Sequence, residues 1–512
     1  MKIYFLKALI LVGLIFIAIA TKADVTPNSL FSNNAVLQRD VEVPVWGTAS
    51  EGEKIRIDFA GQHLKTVAKD GKWMVKLKSL KAGGPYTMTI KGDNTIKITN
   101  ILVGEVWLCS GQSNMEWLLY KIIPQNGYPT VTEVLKDAEN YPSIRQYFVP
   151  LHTYKDIPPP VDDAKGQWTV CDSVSAKKFS AVAYFFGKEL YKHLKVPIGL
   201  INSSYGGTPA QNWTSQKVLD SVPGLKRLLT KYDSALRTFP ERLKRYDDSV
   251  KQISQTPKTD SAAIAVKKVV PGKPVLRPVN PADRGGPGGL FNTMVYPLIP
   301  YAIRGVIWYQ GEANAEGGIQ YRTLFPAMIN NWRAAWNRSD LPFFFVQLPG
   351  WKELAPELRE AQLMTWQKLP NTAMAVITDV DDTISVHPPN KQPVGERLSL
   401  PARALVYHEK IEYAGPVYQS MQITGDTVVL TFTHTGTGIV AKGGELKDFT
   451  IAGDDKKFIA AQAIIKGDKV IIFSPAVSHP VAVRLGWRFC PQVNLYNKEG
   501  LVATSFRTDV TP

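Results

Sequence analysis

The segment ILVGEVWLCSGQSNMEW, residues 101–117, joins a nearly continuous apolar run to a polar turn that contains Ser113. The run, interrupted only by Gly104 and Glu105, is typical of a strand buried on both faces of a parallel sheet. A serine that follows such a strand lies at the carboxyl edge, where open α/β sheets bind ligands. The next helix start would add N–H donors suited to a developing oxyanion. Ser113 is therefore a candidate nucleophile, and the competing interpretation is a helix N-cap.

Further apolar runs follow along the chain, and segments with helical periodicity, such as 179–194 and 321–336, separate them. This alternation predicts an α/β domain with a doubly wound parallel sheet, which we assign to residues 101–410. Two segments interrupt the pattern, 120–172 and 214–270, and we interpret both as insertions at loop positions. The predicted later strands are Val196–Ile201, Gly305–Tyr309, Phe343–Leu348 and Ala373–Ile377.

The regions on either side of this domain have a different pattern. Residues 24–100 alternate polar and apolar side chains, with turn residues about every ten positions, and a similar pattern covers 411–512. We expect a β-sandwich-like domain at each end. A chain of 512 residues with 44% hydrophobic and 21% charged residues is ordinary globular protein. This composition excludes wholesale disorder and a multi-span membrane protein.

The N-terminus has the features of a secretory signal peptide. Lys2 and Lys7 precede an apolar run, and small residues up to Ala23 offer cleavage sites. The run is shorter than the roughly 20 residues that span a bilayer. We therefore assign residues 1–23 to a signal peptide, and we expect a secreted or periplasmic protein with no integral membrane span after cleavage.

Composition also limits the partners and cofactors. The net charge of +15 would suit acidic ligands, but the basic residues are scattered, so we expect no nucleic-acid partner. Three cysteines are too few for a disulfide scaffold, and a Cys171–Cys490 pair is the one bridge we consider. Because no cysteine, histidine or carboxylate cluster has metal-ligand spacing, we expect no metal.

Three post-strand loops carry residues suited to acyl transfer. A serine nucleophile needs a base, and His387 follows the last predicted buried strand. The alternative is that His387 is an ordinary histidine in a surface loop. Gly206 and Gly207 follow one strand, and Asn314 follows another. Backbone N–H and side-chain amide groups are the donors that an oxyanion hole requires, although glycine turns and polar loops are common.

Together these residues resemble the arrangement of SGNH hydrolases, and more narrowly the sialate O-acetylesterase family of carbohydrate esterases. The resemblance extends over nearly the whole chain, and the blocks around Ser113 and Asn314 are the most specific. The matching stretches are NAVLQRD at 34–40, GEVWLCSGQSNMEW at 104–117, GGTPAQNW at 206–213, IWYQGEANA at 307–315, HPPNKQPVGERL at 387–398 and NLYNKEGLVATSFRTD at 494–509.

The resemblance implies a role for each of these residues. Ser113 would be the nucleophile and His387 the base. The Ser113 N–H, Gly207 (or Gly206) and Asn314 would form the oxyanion hole. Three further residues would shape the substrate site, and no metal or organic cofactor would be needed. These three are Gln112, Gln310 and Glu312.

The chain departs from the family pattern at the catalytic acid. An aspartate usually precedes the histidine by two or three residues, and here those positions are Ser385 and Ile384. Asp382 is our first candidate for the acid that orients His387, and Asp379 is the second. A backbone carbonyl would serve in a Ser–His dyad.

The resemblance implies a secreted serine esterase that removes O-acetyl groups from carbohydrates, with sialic acids as the first expected substrate. Acetylated xylan or another plant glycan is the alternative substrate. A non-catalytic carbohydrate-binding surface protein is the alternative class, which the 12 tryptophans would suit.

Overall fold

The structure is a computed structural model that describes residues 24–125, 127–151, 157–255, 277–380 and 385–509. The expected signal peptide, residues 1–23, lies outside the described residues. Within the described ranges, no helix has the length and apolarity needed to cross a membrane.

The chain forms short β-strands at both ends and mixes strands with helices in the middle. The strands β1–β24 are Thr26–Pro27, Val36–Gln38, Val43–Thr48, Lys54–Phe59, Gln62–Val67, Lys72–Leu77, Gly83–Lys91, Thr95–Gly111, Ile144–Phe148, Gln167–Val170, Ile198–Ser204, Gly305–Tyr309, Phe343–Gln347, Thr372–Val376, Val417–Thr424, Thr427–Thr433, Ile439–Ala441, Phe449–Ala452, Ile459–Ala460, Gln462–Lys466, Lys469–Phe473, Ala482–Leu485, Leu495–Asn497 and Phe506–Arg507. The helices α1–α9 are Ser113–Glu116, Val131–Ala138, Ser173–Lys177, Ala181–Leu194, Gln216–Ser221, Lys226–Gln255, Gly318–Ala335, Pro356–Lys368 and Gln392–Pro401.

Strand β8 belongs to two sheets in succession. Its first half pairs antiparallel with β7, as part of an N-terminal sheet that also contains β4 and β5. Its second half lies between β11 and β12 and is parallel to both. Near the midpoint, the fully buried carboxylate of Glu105 accepts hydrogen bonds from Arg39, 2.5 Å away, and from Arg304, 2.7 Å away. The boundary expected between residues 100 and 101 thus falls within one strand.

The central sheet has the strand order β10-β9-β11-β8-β12-β13-β14, and β10 is the antiparallel strand of this row. The four later strands predicted from apolar runs are present, with ends that differ by at most three residues. Strands β9 and β10 lie inside the predicted insertion at 120–172, so this segment contributes two strands to the sheet. The sequence Ile-Arg-Gln-Tyr-Phe of β9 lacks the apolar pattern of a buried strand, because Arg145 and Gln146 are polar although they are buried.

Helices cover both faces of this sheet. Phe343 and Phe344 are neighbours on β13, so their side chains point to opposite faces. Phe344 contacts Trp107 of β8, whose ring packs on Phe186 of α4 with 5.1 Å between ring centroids. Phe343 contacts Phe325 of α7 at 6.2 Å. Helix α9 packs on α4, and α8 packs on α7, which gives one helical layer on each face.

The flanking regions are all-β within the described residues. The N-terminal region pairs β1, β3 and β6 in a second sheet. The C-terminal region contains the sheets β15-β16-β21-β20, β17-β23 and β19-β18-β22-β24. The expected second insertion, 214–270, is helical as far as α6 reaches, and its residues 256–276 lie outside the described ranges. Buried apolar residues of all these regions form one continuous cluster.

All three cysteines are free in the structure, so the Cys171–Cys490 bridge that we considered is absent. Cys109 and Cys171 are buried, and burial raises the pKa of both thiols. Cys490 is partly exposed. The protonated, buried thiols are poor nucleophiles, because the thiolate is the reactive form.

We therefore predict that Ellman's reagent modifies one thiol in the native protein and three thiols after unfolding in guanidinium without a reductant. A Cys490→Ser variant should lose the native signal and retain two thiols on unfolding. A total below three in the unfolded, unreduced protein would contradict the free thiols of the structure.

Candidate active site

Ser113 is the first residue of α1, directly after β8. The turn depends on Gly111, whose φ is +144° and whose backbone lies against β12. A Cβ atom at this position would be 2.1 Å from the carbonyl oxygen of Tyr309. Gln112 then donates its N–H to that same carbonyl, at 3.0 Å. The glycine thus allows a close approach of two strands, which fixes the position where Ser113 leaves the sheet.

His387 lies beside this serine, as the sequence predicted. Its Nε2 atom is 2.8 Å from Ser113 Oγ. The ring stacks on Trp117 with centroids 5.3 Å apart, and the backbone N–H donates to Ser385 Oγ at 3.0 Å. Burial, and then the positive charge of Lys391, hold the pKa of His387 below its ordinary value of 6.5. The imidazole is therefore neutral at neutral pH, which is the form that can accept a proton.

Asn114 connects the three loops of the site. Its side chain is fully buried, and its Nδ2 donates to the carboxylate of Glu312 and, at 2.9 Å, to the carbonyl oxygen of Val386. Its Oδ1 accepts from Lys391 Nζ at 2.5 Å. One amide therefore joins the Ser113 turn to the Asn314 loop and to both sides of His387. Burial raises the pKa of Glu312, and Lys391 and Asn114 oppose this shift.

Asn314 has a defined amide orientation. Its Oδ1 accepts from the Ala210 N–H at 2.9 Å and from Gln310 Nε2 at 2.8 Å. Since a backbone N–H only donates, the oxygen must face Ala210, and Nδ2 must point the other way. One Nδ2 hydrogen goes to Gln211 Oε1 at 3.0 Å. Within the described residues the second hydrogen has no acceptor.

The two glycines predicted for the oxyanion hole have different surroundings. Gly206 lies against the nucleophile, because a Cβ there would be 3.3 Å from Ser113 Cβ. Its N–H donates to Glu116 Oε2 at 2.7 Å, and burial raises the pKa of this carboxyl group. Gly207 follows with φ +68°, and no acceptor for its N–H occurs among the described residues. Gly207 is thus the glycine with a vacant donor.

The three predicted substrate-site residues form hydrogen bonds with the loops of the candidate site. Gln112 is buried, and its Oε1 accepts from the Ala313 N–H at 3.1 Å. Gln310 is fully buried; it donates to Asn314 and Thr208 and accepts from Tyr321. These contacts hold the Asn314 loop in place. Glu312 lies in the same loop and turns its carboxylate towards Asn114.

Of the two candidate orienting acids, the structure describes Asp379 but not Asp382. Asp379 forms a two-pronged ion pair with Arg397, at 2.5 and 2.7 Å, and accepts from the hydroxyl of Tyr496 at 3.2 Å. This carboxylate therefore bonds Arg397 and Tyr496 rather than His387. Asp382 lies outside the described residues. Within those residues no hydrogen-bond partner reaches Nδ1 of His387.

Three residues that the sequence analysis passed over help to build this site: Asn114, Trp117 and Lys391. All three lie in stretches already quoted for the family resemblance, but no spacing rule gives them a role. A fully buried lysine next to the base is visible only when the loops are folded.

A cleft of about 860 Å³ opens beside the oxyanion donors. Gly207, Asn314 and the Glu312–Gly317 turn line one part of it. Helix α6 contributes Lys231 and Tyr232, and later loops contribute Arg284 and Trp351. The cleft therefore brings aromatic and charged side chains beside Gly207 and Asn314.

A hydrogen-bonded serine and histidine at the carboxyl edge of a parallel sheet define an acyl-transfer hydrolase built on an α/β sheet. Comparisons with known proteins agree with this class. A family model described as "Carbohydrate esterase, sialic acid-specific acetylesterase" matches residues 290–399, which include Asn314 and His387.

Relatives cover most of the chain. The sialate O-acetylesterase of Rattus norvegicus is 30% identical over an alignment of 451 positions, and the match covers 79% of this chain and 78% of the relative. That of Homo sapiens is 31% identical over an alignment of 451 positions, and the match covers 79% of this chain and 76% of the relative. A crystal structure of a carbohydrate acetylesterase from Xanthomonas citri has a TM-score of 0.78 and 35% identity, covering 95% of this chain and 100% of that chain. The chain belongs to the sialate O-acetylesterase family, which confirms the resemblance in its sequence, and it is a carboxylic ester hydrolase.

The position of Lys391 predicts a pH effect. Activity should fall as the pH drops through the lowered pKa of His387, because the protonated ring cannot accept a proton. Lys391→Met removes a positive charge, so the pKa of His387 should rise, and the acid limb of the kcat/KM profile should move to higher pH. Lys368→Met, an exposed substitution on α8, is the control and should leave the limb in place. A limb that stays or moves to lower pH in folded Lys391→Met would contradict this electrostatic coupling.

Proposed function

We propose that this chain is a serine O-acetylesterase that deacetylates sialic acids, on an SGNH-hydrolase-like, doubly wound sheet. The observation that carries the proposal is the 2.8 Å contact between Ser113 Oγ and His387 Nε2. The family assignment supports the acetyl ester as the group that is cleaved. The same pair argues against a non-catalytic carbohydrate-binding protein.

In the first half of the reaction, His387 Nε2 takes the proton from Ser113 Oγ as the oxygen bonds to the acetyl carbonyl carbon. The carbonyl oxygen becomes an oxyanion, held by the Ser113 and Gly207 N–H groups and by Asn314 Nδ2. When the tetrahedral intermediate collapses, the bond to the sugar oxygen breaks. That oxygen takes the proton from His387, and the acetyl group remains on the serine.

In the second half, His387 removes a proton from water as the water oxygen attacks the acetyl-serine. The bond to Ser113 Oγ then breaks, the serine regains its proton from His387, and acetate leaves. We assign the backbone donor to Gly207 because the Gly206 N–H is bound to Glu116. Gln112, Gln310 and Asn114 are positioning residues in this scheme.

The substrate and the location belong to the proposal as well. Sialic acids are preferred because the curated relatives are sialate O-acetylesterases. Acetate release from a panel of O-acetylated sialic acids and acetylated xylan tests this choice, and faster release from xylan would overturn it. The basic, apolar N-terminus, residues 1–23, supports a secreted or periplasmic enzyme.

Ser113→Ala should reduce kcat for p-nitrophenyl acetate by at least about 10³-fold, because loss of a nucleophile removes the covalent route. The fold should persist, since Ser113 is only partly buried. Ser110→Ala is a matched control on β8; it removes a buried hydroxyl that has no hydrogen-bond partner among the residues that the structure describes. More than about a tenth of wild-type kcat in Ser113→Ala would exclude this serine as the nucleophile.

Asp382 remains our proposed orienting acid. Asp382→Asn should lower kcat by more than about tenfold, or about 1.4 kcal/mol of barrier, because the imidazole loses the partner that fixes its tautomer. Asp379→Asn should instead lower the melting temperature, since it breaks the pair with Arg397, and should change kcat only slightly. If kcat is unchanged in folded Asp382→Asn, with Asp381→Asn tested in parallel, the enzyme works as a Ser–His dyad.

A further inference from the structure

Arg284 lies at the edge of the proposed oxyanion hole. Its Nη1 donates to the carbonyl oxygen of Gly207 at 2.8 Å. The guanidinium packs closely against this glycine, because a Cβ atom at Gly207 would be only 2.5 Å from Nη1. Gly207 is the next residue after Gly206, which touches Ser113. One residue advances the backbone by about 3.8 Å, so Arg284 contacts the backbone one residue away from the glycine that lies against the nucleophile.

The segment that carries Arg284 is fixed to the loop after β11. The short 3-10 turn Pro281–Arg284 begins at Asn280, whose side chain accepts from the Ala282 N–H. Asn212 Nδ2 donates to the carbonyl oxygen of Arg284 at 2.8 Å. The Tyr205 hydroxyl reaches the backbone of the same turn at 3.4 Å. The guanidinium is therefore attached to the site through both its backbone and its side chain.

This arginine has no carboxylate partner within the described residues, although its side chain is exposed in the cleft. Guanidinium has five N–H donors, and the carbonyl of Gly207 uses one. The remaining fork matches a carboxylate, which arginine binds by two parallel hydrogen bonds. Lys231 of α6 lines the same cleft and adds a second positive charge.

The rest of the cleft suits the other parts of a sugar acid. Glu316 and Glu353 are exposed carboxylates on separate loops, and such groups accept hydrogen bonds from hydroxyls. Trp351 and Tyr232 offer aromatic rings.

We infer that Arg284 binds the carboxylate of an acidic sugar while the acetyl ester lies at Ser113. Arg284 is then the residue that selects acidic over neutral acetylated carbohydrates. This inference rests on the proposed function and adds a residue that determines its specificity.

The test compares an O-acetylated sialic acid with its carboxyl methyl ester, in which the negative charge is masked and the acetyl group is the same. We expect wild-type kcat/KM to favour the free acid by about 10- to 100-fold, the range for a charge-assisted pair. Arg284→Gln should bring this ratio close to one, and Arg284→Lys should restore part of it. The ratio isolates recognition from any change in the common chemistry, since both substrates lose the same acetyl group.

Arg227→Gln is the matched control, because Arg227 is an exposed arginine on α6 that does not line the cleft. It should keep the wild-type ratio. A wild-type ratio near one, or a ratio that survives in Arg284→Gln, would overturn the inference while the esterase itself stands. If neither sialic acid derivative releases acetate but p-nitrophenyl acetate does, the acidic-sugar substrate is wrong. If no ester is cleaved, the proposed function fails.

Discussion

Strand β8 is the constraint on which the rest of the structure depends. It is a member of the N-terminal sheet at one end and the centre of the parallel sheet at the other. A shift of one residue in its pairing would move every side chain to the opposite face. The buried Glu105, held by Arg39 and Arg304, fixes the strand at the point where it changes sheets. The register of β8 therefore sets the position of Ser113.

The site at the end of this strand is built from loops that are distant in the sequence. Asn114 binds residues 198 and 277 positions further along the chain, Glu312 and Lys391. Gln310 performs a similar role between the Asn314 and Thr208 loops. Such buried and satisfied amides hold polar groups in one arrangement before the substrate arrives, which is what electrostatic stabilisation of an oxyanion requires. The conformational entropy of these loops is lost during folding, when the core forms, and not when the substrate binds.

Local signals in the sequence were sufficient for much of the fold and for the proximity of two candidate site residues. Continuous apolar runs predicted the central strands, and the rare residue types that follow them predicted the meeting of Ser113 with His387. Strand β9 was not predicted as part of the central sheet, because its buried Arg145 finds its partner in Asn100, outside its own segment. Gly206 and Gly207 could not be separated by sequence, because the choice depends on the carboxylate of Glu116. The sequence likewise could not show that Asp379 is bound by Arg397 and Tyr496, because these residues lie 18 and 117 positions away.

The shared strand also has a consequence for the order in which the protein folds during synthesis. The N-terminal sheet is complete once β8 has left the ribosome, yet the second half of that strand still lacks both neighbours. β11 begins about 90 residues later and β12 about 190 residues later, which at ~5–20 residues per second is roughly 4–20 s and 10–40 s of translation. During this interval an apolar strand with two open edges projects from an otherwise finished domain. Exposed edges of this kind pair readily with other chains, so the nascent protein is at risk of aggregation until β11 and β12 have been made.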